Sequence, residues 1–296
     1  MTHMARREFL GRSVVAAAGA VMGRLGREAP ARENARTGDA EAAKFRLGLV
    51  TYMWGADWDL PTLIANCETA GYGGVELRVD HKHAVSPALT QDQRKEVVKR
   101  LAGSKVTLVG LGTNFQFHEK DPAAVRKNIE GARQYIQLCR DLEAGGVKVK
   151  PNDLPRDVPV EKTIEQIGGS LNELAEFAAP LKVQVRLEVH GGAGKLEVIK
   201  AIMDVAKHPN AAVCWNSNMS DLSGKGLEHN FNLVKDRLGG TVHVRELDDK
   251  RYPFKELLGL LKKARYSGWV LLEAGGKPKD RVQAMIEQRK LFESMI

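Results

Sequence analysis

The chain has 296 residues, 43% hydrophobic and 28% charged, which is typical of a globular protein and excludes a disordered or membrane-embedded one. Its length fits one large domain, because α/β barrels often reach about 250 residues as a single unit. The formal charge of the whole chain is +8, from 45 Lys and Arg and 37 Asp and Glu. Residues 1–44 hold 8 of these basic and 5 of these acidic residues. The rest of the chain therefore has 37 basic and 32 acidic residues and a charge of +5. So small an excess argues against a nucleic-acid partner.

The first residues are predicted to be a targeting segment that is not part of the fold. The segment Ala5–Leu10 (Ala-Arg-Arg-Glu-Phe-Leu) resembles the twin-arginine export signal, and a short apolar run from Ser13 to Gly23 follows it. That run is far below the roughly 20 residues that span a bilayer, so no transmembrane span is expected. We predict a signal at 1–27, a linker at 28–44 and a periplasmic protein, its signal either removed or kept as an anchor. A generic basic N-terminus is the alternative.

From residue 45 onward, short β-branched runs alternate with longer amphipathic stretches. The predicted strands are Phe45–Tyr52, Gly74–Arg78, Val106–Gly112, Gly146–Lys150, Val183–Val189, Ala212–Trp215, Thr241–Arg245 and Trp269–Glu273. The predicted helices cover about 59–70, 90–103, 122–143, 160–180, 195–207, 227–238, 254–265 and 279–294. Alternating strands and helices indicate a parallel sheet, and eight units favour a closed barrel over an open sheet. We predict a single (β/α)8 TIM barrel over residues 45–296.

Four predicted strands in the second half of the chain end in residues that can bind a metal. The steps from Glu188 to Asn216, His243 and Glu273 are 28, 27 and 30 residues, about one strand-plus-helix unit each. The carboxyl ends of successive barrel strands meet at one mouth, where the active sites of such folds lie. The spacing therefore predicts that these four side chains converge on a metal or acid–base site.

Each of the four residues also has an alternative interpretation. Glu188 could form an ion pair with Arg186 or with Lys150, since a carboxylate at the end of an apolar strand is costly unless it is paired or bound to a metal. Glu273 could cap the last helix, and His243 could be a core histidine. Asn216 could belong to a turn held by side-chain-to-backbone bonds.

Other polar residues near the predicted strand ends are candidates for the same site. His190 lies two residues after Glu188 on the same face and could be a proton shuttle. Lys150 could neutralise an enolate. The candidate substrate-binding residues are Glu76, Arg78, His81, His83, His118, Arg245 and Trp54. A charge-rich surface loop is the alternative for the second unit, and core covering is the alternative for Trp54.

At these residues the chain resembles the xylose isomerase-like TIM barrel superfamily, and within it the sugar phosphate isomerase/epimerase group. The resemblance covers about residues 45–296 and rests on Gly71–Leu77, Leu187–Gly191 and the strand ends described above. It implies one divalent ion (Mn, Mg, Co or Zn) and proton transfer between adjacent carbons by the two glutamates. The implied ligands are Glu188, Asn216, His243 and Glu273. The chain departs from the pattern at Asn216, where aspartate is usual, which removes one negative charge from the ligand set.

The sequence therefore predicts a metal-dependent isomerase or epimerase of a small sugar or keto-sugar, acting through a metal-stabilised enediolate. Glu188, Glu273, His190 and Lys150 are the predicted catalytic residues. The runner-up is a keto-glycoside lyase, because the same enolate can expel a leaving group by β-elimination. Two other classes stay open, namely an apurinic-site endonuclease-like phosphodiesterase and a sugar-binding barrel without turnover. Export favours a neutral sugar over a sugar phosphate, and the oligomeric state, a homo-oligomer included, stays open.

Overall fold

The computed structural model describes residues 45–296, so the predicted signal and linker lie outside the described residues. The strands β1 to β8 are Arg46–Val50, Gly74–Arg78, Thr107–Gln116, Gly146–Lys150, Gln184–Glu188, Ala211–Asn216, Leu238–Val244 and Trp269–Leu272. The helices α1 to α8 are Leu60–Ala70, Gln91–Ala102, Pro122–Asp141, Val160–Ala178, Leu196–Val205, Leu227–Val234, Phe254–Lys263 and Arg281–Met295. Short 3-10 segments cover Ala179–Leu181, Met219–Leu222 and Lys235–Arg237.

The eight strands close into a barrel in chain order, and β1 pairs in parallel with β8. This topology confirms the predicted (β/α)8 TIM barrel. Some boundaries differ from the predicted ones: β3 continues to Gln116, beyond the predicted Gly112, and β8 ends at Leu272, so Glu273 begins the loop after it. Among residues 45–296, no helix combines the length and the apolar character that a membrane-crossing segment needs.

The helix starts follow from local chemistry in the sequence. The side chains of Asp59, Thr90 and Asp121 each accept a hydrogen bond from a backbone N–H in the first turn of α1, α2 and α3. Such bonds satisfy N–H groups that have no partner within the helix. Gly71 ends α1 with a φ of 76°, a left-handed conformation that glycine adopts without steric cost.

The strand alternation sorts side chains between the two surfaces of the barrel wall. Outward residues such as Val147, Val149 and Leu187 belong to the hydrophobic core between the sheet and the helices. Several inward residues are charged and buried, among them Lys148 and Glu188. A small apolar cluster of Val50, Val109, Trp269 and Leu271 packs apart from the main core. This barrel therefore holds charged side chains in its interior, and buried charges of this kind need partners or a ligand.

Gly48 on β1 illustrates how tightly the barrel is packed. A Cβ at this position would lie 2.6 Å from both the Gly74 carbonyl oxygen and Leu271 Cδ2. We expect Gly48→Ala to lower the free energy of unfolding by about 1–3 kcal/mol, the usual cost of overpacking a core. Gly259 in α7 is the matched control, because its added Cβ would meet no atom within 4 Å beyond its chain neighbours and the adjacent backbone of its own helix. Gly259→Ala should raise the free energy of unfolding by about 1 kcal/mol, since alanine favours a helix. Urea unfolding of both variants measures the difference, and equal effects would contradict the packing argument.

Candidate active site at the carboxyl end of the barrel

The four predicted strand-end residues meet at one place. Glu188 and Asn216 end β5 and β6, His243 is the second-to-last residue of β7, and Glu273 directly follows β8. In the sheet register Asn216 pairs with His243, and His243 pairs with Leu271. All four side chains are buried. The strand spacing in the sequence therefore correctly predicted that these residues converge.

His243 lies at the centre of this group. Its Nδ1 is 3.6 Å from Glu188 Oε1 and 3.9 Å from Glu273 Oε2. Its Nε2 is 3.4 Å from Oε1 of Glu76, a fully buried carboxylate on β2. Neither imidazole nitrogen makes a hydrogen bond with another described residue. One nitrogen thus faces the two strand-end carboxylates, while the other faces a deeper carboxylate, an arrangement that orients a histidine ligand toward a metal.

Asn216 contributes an amide between the same carboxylates. Its Nδ2 donates to Glu188 Oε1 at 3.0 Å and to Glu273 Oε2 at 3.4 Å. Its Oδ1 is buried and has no hydrogen-bond partner among the described residues. The amide therefore keeps two negative groups together and retains one oxygen that is free to bind a ligand.

These residues fit a single divalent cation. Glu188, His243 and Glu273 each offer one ligand atom, and these atoms lie within 4.8 Å of one another. Carboxylate oxygens and imidazole nitrogens bind such ions at about 2.0–2.2 Å, so one ion can reach all three after small adjustments. The unpartnered nitrogens of His243 and the unpartnered Asn216 Oδ1 are further signs of a binding site. Glu188, His243 and Glu273, with Asn216 Oδ1 as a neutral fourth donor, would hold the ion.

Lys148 on β4 is a site residue that the sequence interpretation missed. Its Nζ donates to Glu188 Oε2 at 2.7 Å, and both side chains are essentially fully buried. The alternative for Glu188 was an ion pair with Arg186 or Lys150, but the structure pairs it with Lys148. Arg186 instead bonds to Gln184 Oε1 and to the Val109 carbonyl. The alternation Val-Lys-Val-Lys in β4 was the available signal, since it puts both lysines on the inward face.

The Lys148 ion pair controls the charge of Glu188. Burial alone would raise the pKa of the Glu188 carboxyl, but the Lys148 ammonium and then His243 outweigh burial and hold that pKa well below its usual range. Conversely, burial would lower the pKa of Lys148, yet the Glu188, Glu76 and Glu273 carboxylates raise it. Glu188 is therefore ionised and Lys148 is protonated at neutral pH.

Arg78 at the end of β2 contacts the other carboxylate. Its NH1 lies 3.4 Å from Glu273 Oε1, and its NH2 donates to Asn114 Oδ1 at 3.1 Å. The guanidinium also lies 5.2 Å from the centre of the Tyr52 ring. Each of the two strand-end glutamates thus has a cation of its own, Lys148 for Glu188 and Arg78 for Glu273.

His190 is held in one tautomer by its neighbours. Asn152 Nδ2 donates to Gln116 Oε1, which leaves Asn152 Oδ1 to accept from His190 Nδ1 at 2.8 Å. His190 therefore carries its proton on Nδ1, and its Nε2 is free to accept one. Burial is the largest influence on the pKa of His190 and lowers it, so the imidazole is neutral at neutral pH. A neutral histidine with a free nitrogen can serve as a proton shuttle.

Lys150 also reaches the mouth, but without a partner. It ends β4 on the same inward face as Lys148 and is 8% exposed. Burial and then the nearby Lys148 ammonium lower the pKa of Lys150 to about 8. Among the described residues it makes neither a hydrogen bond nor an ion pair within the distances that define one. Its ammonium is therefore available to a ligand.

The remaining candidates for substrate binding are placed differently from one another. His83 accepts from the Val85 N–H through Nδ1 and donates through Nε2 to the Arg78 carbonyl at 2.8 Å, so both nitrogens serve the loop after β2. His81 Nδ1 lies 3.3 Å from Thr51 Oγ1. Trp54, which is only 3% exposed, donates to the Gly276 carbonyl at 2.9 Å, as the core-covering alternative predicts.

His118, Arg245 and Glu76 complete the set of candidates. His118 is half-buried, and its Nε2 lies 4.0 Å from Glu119 Oε1. Arg245 is exposed, and its Nε donates to the Ser217 carbonyl at 3.4 Å. Glu76 lies below the strand ends, where Gly112 leaves room for it: a Cβ on Gly112 would come within 2.7 Å of Glu76 Oε1. Glu76 therefore faces His243 and is sealed from solvent.

The fold and the site together define a parallel α/β barrel with a carboxylate–histidine site at the carboxyl ends of its strands. The sequence profile described as the Xylose isomerase-like TIM barrel matches residues 64–295, and the chain belongs to that family. No curated protein sequence matches the chain.

Several solved structures resemble the chain at low sequence identity. The apo form of the 3-keto-D-glucoside 4-epimerase YcjR from E. coli is 13% identical with a TM-score of 0.71, over 85% of this chain and 100% of that one. An L-ribulose 3-epimerase is 16% identical with a TM-score of 0.73, over 85% and 94% of the two chains. The IOLI protein with a binding zinc atom is 15% identical with a TM-score of 0.71, over 85% and 98%. At such identities the likeness shows the shared fold alone.

Proposed function

We propose that the protein is a divalent-metal-dependent isomerase or epimerase of a small sugar or keto-sugar, as in the sugar phosphate isomerase/epimerase group. The observation that carries the proposal is the buried group of Glu188, His243 and Glu273, whose ligand atoms lie within 4.8 Å of one another. Two carboxylates at one site can act as general base and general acid on neighbouring carbons. The similar folds of proteins named as sugar epimerases support a carbohydrate substrate.

The chain supplies the groups that such a proton transfer needs. Glu188, kept ionised beside Lys148, can accept the proton from the carbon next to a carbonyl. Glu273, held 3.4 Å from Arg78 NH1, can return a proton to the neighbouring position. His190 can exchange a proton with a substrate hydroxyl through its free Nε2. When bound, a divalent ion would supply Lewis-acid polarisation of the carbonyl.

The runner-up function is β-elimination by a keto-glycoside lyase, because both reactions begin with removal of the same proton. Incubation of the metal-loaded protein with ketoses and with 3-keto-glycosides, followed by NMR of the products, separates the two functions. We expect a sugar with an inverted centre or a shifted carbonyl. A free aglycone and an unsaturated keto-sugar would instead support the lyase, and no product from any of these sugars would contradict both.

Two other classes of function predict different metal contents. A phosphodiesterase of the apurinic-site endonuclease kind would need about three ions, whereas a binding barrel without turnover would need none. Within residues 45–296, the one group of three His, Cys, Asp or Glu with metal-binding spacing is Glu188, His243 and Glu273. Metal analysis of the purified protein after loading and dialysis should therefore give one ion per chain.

Asn216 should limit the affinity for that ion. In Asn216→Asp a third carboxylate would face Glu188 Oε1 and Glu273 Oε2, now 3.0 and 3.4 Å from Asn216 Nδ2. We expect the metal-free variant to be less stable than the wild type, because like charges repel. We also expect Mn²⁺ to bind at least tenfold more tightly, which adds about 1.4 kcal/mol of stabilisation at saturation.

The measurement for Asn216→Asp is the Mn²⁺-induced rise in Tm, followed by calorimetric titration. Asn66→Asp on α1 is the control for an added charge elsewhere. A Mn²⁺-induced rise no larger than that of the wild type would contradict a metal site that includes position 216.

We also propose that the protein is exported to the periplasm and acts there. The support is the twin-arginine-like segment Ala5–Leu10. Fractionation of cells that express the full chain, compared with a variant in which Arg6 and Arg7 are both lysine, tests this proposal. Equal distribution of the two proteins between cytoplasm and periplasm would contradict it.

A further inference from the structure

The mouth of the barrel carries more positive charge than its two strand-end carboxylates can balance. Glu188 and Glu273 face three cations, namely Lys148, Lys150 and Arg78. Deeper in the barrel, Glu76 faces His243 first, and then the positive charges of Lys148 and Arg186. Asn216 adds no charge at a position where aspartate would have added one. With His243 neutral, as in a metal ligand, the four cations Lys148, Lys150, Arg78 and Arg186 exceed the three carboxylates Glu188, Glu273 and Glu76 by one charge. A bound divalent ion would increase this excess to three.

Two of these cations flank β3 and have donors that no described residue uses. Lys150, on β4, is 8% exposed and unpaired. Arg78, on β2, has a buried Nε without a hydrogen-bond partner. Between them β3 presents Gly112, which has no side chain, and Asn114, which accepts from Arg78 NH2. Lys150 is largely buried, so its unpaired ammonium is only partly solvated, and an unpaired lysine beside an arginine indicates a site for an anion.

We propose that the substrate is a sugar with an oxyanion, a carboxylate or a phosphate, on the carbon next to the reacting pair, and that Arg78 and Lys150 bind this group. This inference rests on the proposed isomerase or epimerase function and deepens it by naming the substrate class. Arginine binds carboxylate and phosphate oxygens through its fork of N–H groups, and lysine adds a point charge. The inference departs from the neutral sugar that export favoured.

Three sugars with one carbon skeleton test the inference. D-Fructose, 2-keto-D-gluconate and D-fructose 1-phosphate differ at C1, which carries a hydroxyl, a carboxylate or a phosphate. Calorimetric titration of the full chain at a fixed, saturating Mg²⁺ concentration gives the Kd of each sugar. We expect at least one anionic sugar to bind at least tenfold more tightly than fructose, and the tighter of the two identifies the anion. Equal Kd values for all three sugars would overturn the inference.

Variants of Lys150 test whether this residue causes the tighter binding of the anionic sugar. The measured quantity is the ratio of the fructose Kd to the anionic-sugar Kd, which Lys150→Met should reduce at least tenfold. Lys82→Met is the control, because it removes an exposed charge from the loop after β2, and it should leave this ratio unchanged. Because Lys150 has no partner, Lys150→Met should not lower the free energy of unfolding, and Lys150→Gln serves as a second variant. An unchanged ratio in both Lys150 variants would overturn the inference, since Lys150 would then serve the reacting oxygen only.

Inorganic phosphate, titrated alone, distinguishes failure of the anion site from failure of the sugar function. Phosphate binding that Lys150→Met weakens, without binding of any sugar, would support the anion site and overturn the proposed function. Fructose binding with no preference for the anionic sugars would overturn the anion site and leave the proposed sugar function standing. Absence of binding by all four probes would overturn both.

Discussion

Glu188→Gln should reduce the turnover of a keto-sugar by about 10²–10⁴-fold, the usual contribution of a general acid or base. Glutamine keeps the shape of the side chain but cannot accept the proton. The same loss is expected for Glu273→Gln, because the reaction needs a second group to return the proton. Initial rates measured by NMR at saturating metal and sugar provide the comparison.

Controls separate loss of chemistry from loss of structure in Glu188→Gln. Glu165→Gln changes an exposed glutamate on α4 in the same way and should retain full activity. Circular dichroism should show that all three variants keep the barrel. Wild-type turnover in either Glu188→Gln or Glu273→Gln would contradict the acid–base assignment.

Lys148→Met should lower the free energy of unfolding by about 3–5 kcal/mol, the usual cost of removing one partner of a buried ion pair. The reason is that Glu188 would remain buried without the ammonium that now lies 2.7 Å from its Oε2. Urea unfolding in the presence of a chelator gives this value for the metal-free protein. The same variant should also lose activity, since Glu188 would no longer be held ionised.

The double variant Lys148→Met/Glu188→Gln measures the interaction itself. Because the two side chains are in contact, its destabilisation should be smaller than the sum of the single effects by about 0.5–3 kcal/mol. Lys150→Met is the matched control, as it removes the next inward lysine of β4, which has no partner among the described residues. Equal destabilisation by Lys148→Met and Lys150→Met would show that the buried pair has no special importance.

The fold and the convergence of four site residues were predictable from the sequence for simple reasons. Strand-plus-helix units of regular length gave the parallel barrel. Because parallel strands end at the same edge, the spacing of Glu188, Asn216, His243 and Glu273 was enough to place them together. Neither inference needs knowledge of how side chains pack.

The partner of Glu188 could not be read from the sequence in the same way. In the register of β4 and β5, Lys148 pairs with Arg186, so the strand-end Lys150 was the expected neighbour of Glu188. A lysine has a long, flexible stem, and the stem of Lys148 lets its ammonium reach the strand-end carboxylate. Such a reach depends on side-chain conformation and on the space inside the barrel, neither of which a residue pattern specifies.

The loop after β2 was unpredictable for a different reason. Asp80 and Ala84 there have positive φ values of 62° and 58°, which are uncommon for residues other than glycine. This backbone path brings both ring nitrogens of His83 into contact with backbone groups. The sequence indicated only that histidines lie near the mouth, and the local path of the loop decides which of them are free.

In the proposed reaction, Glu188 and Glu273 move protons at a carbon next to a sugar carbonyl. The most direct measurement is deuterium incorporation at that carbon when metal-loaded protein, ketoses and 3-keto-glycosides are incubated in D₂O. We expect the wild type to incorporate solvent deuterium into at least one of these sugars. Glu188→Gln and Glu273→Gln should keep the fold and lose the exchange even at metal concentrations that saturate each variant. Exchange at the wild-type rate in either variant, or no exchange in the wild type, would contradict these proton-transfer roles.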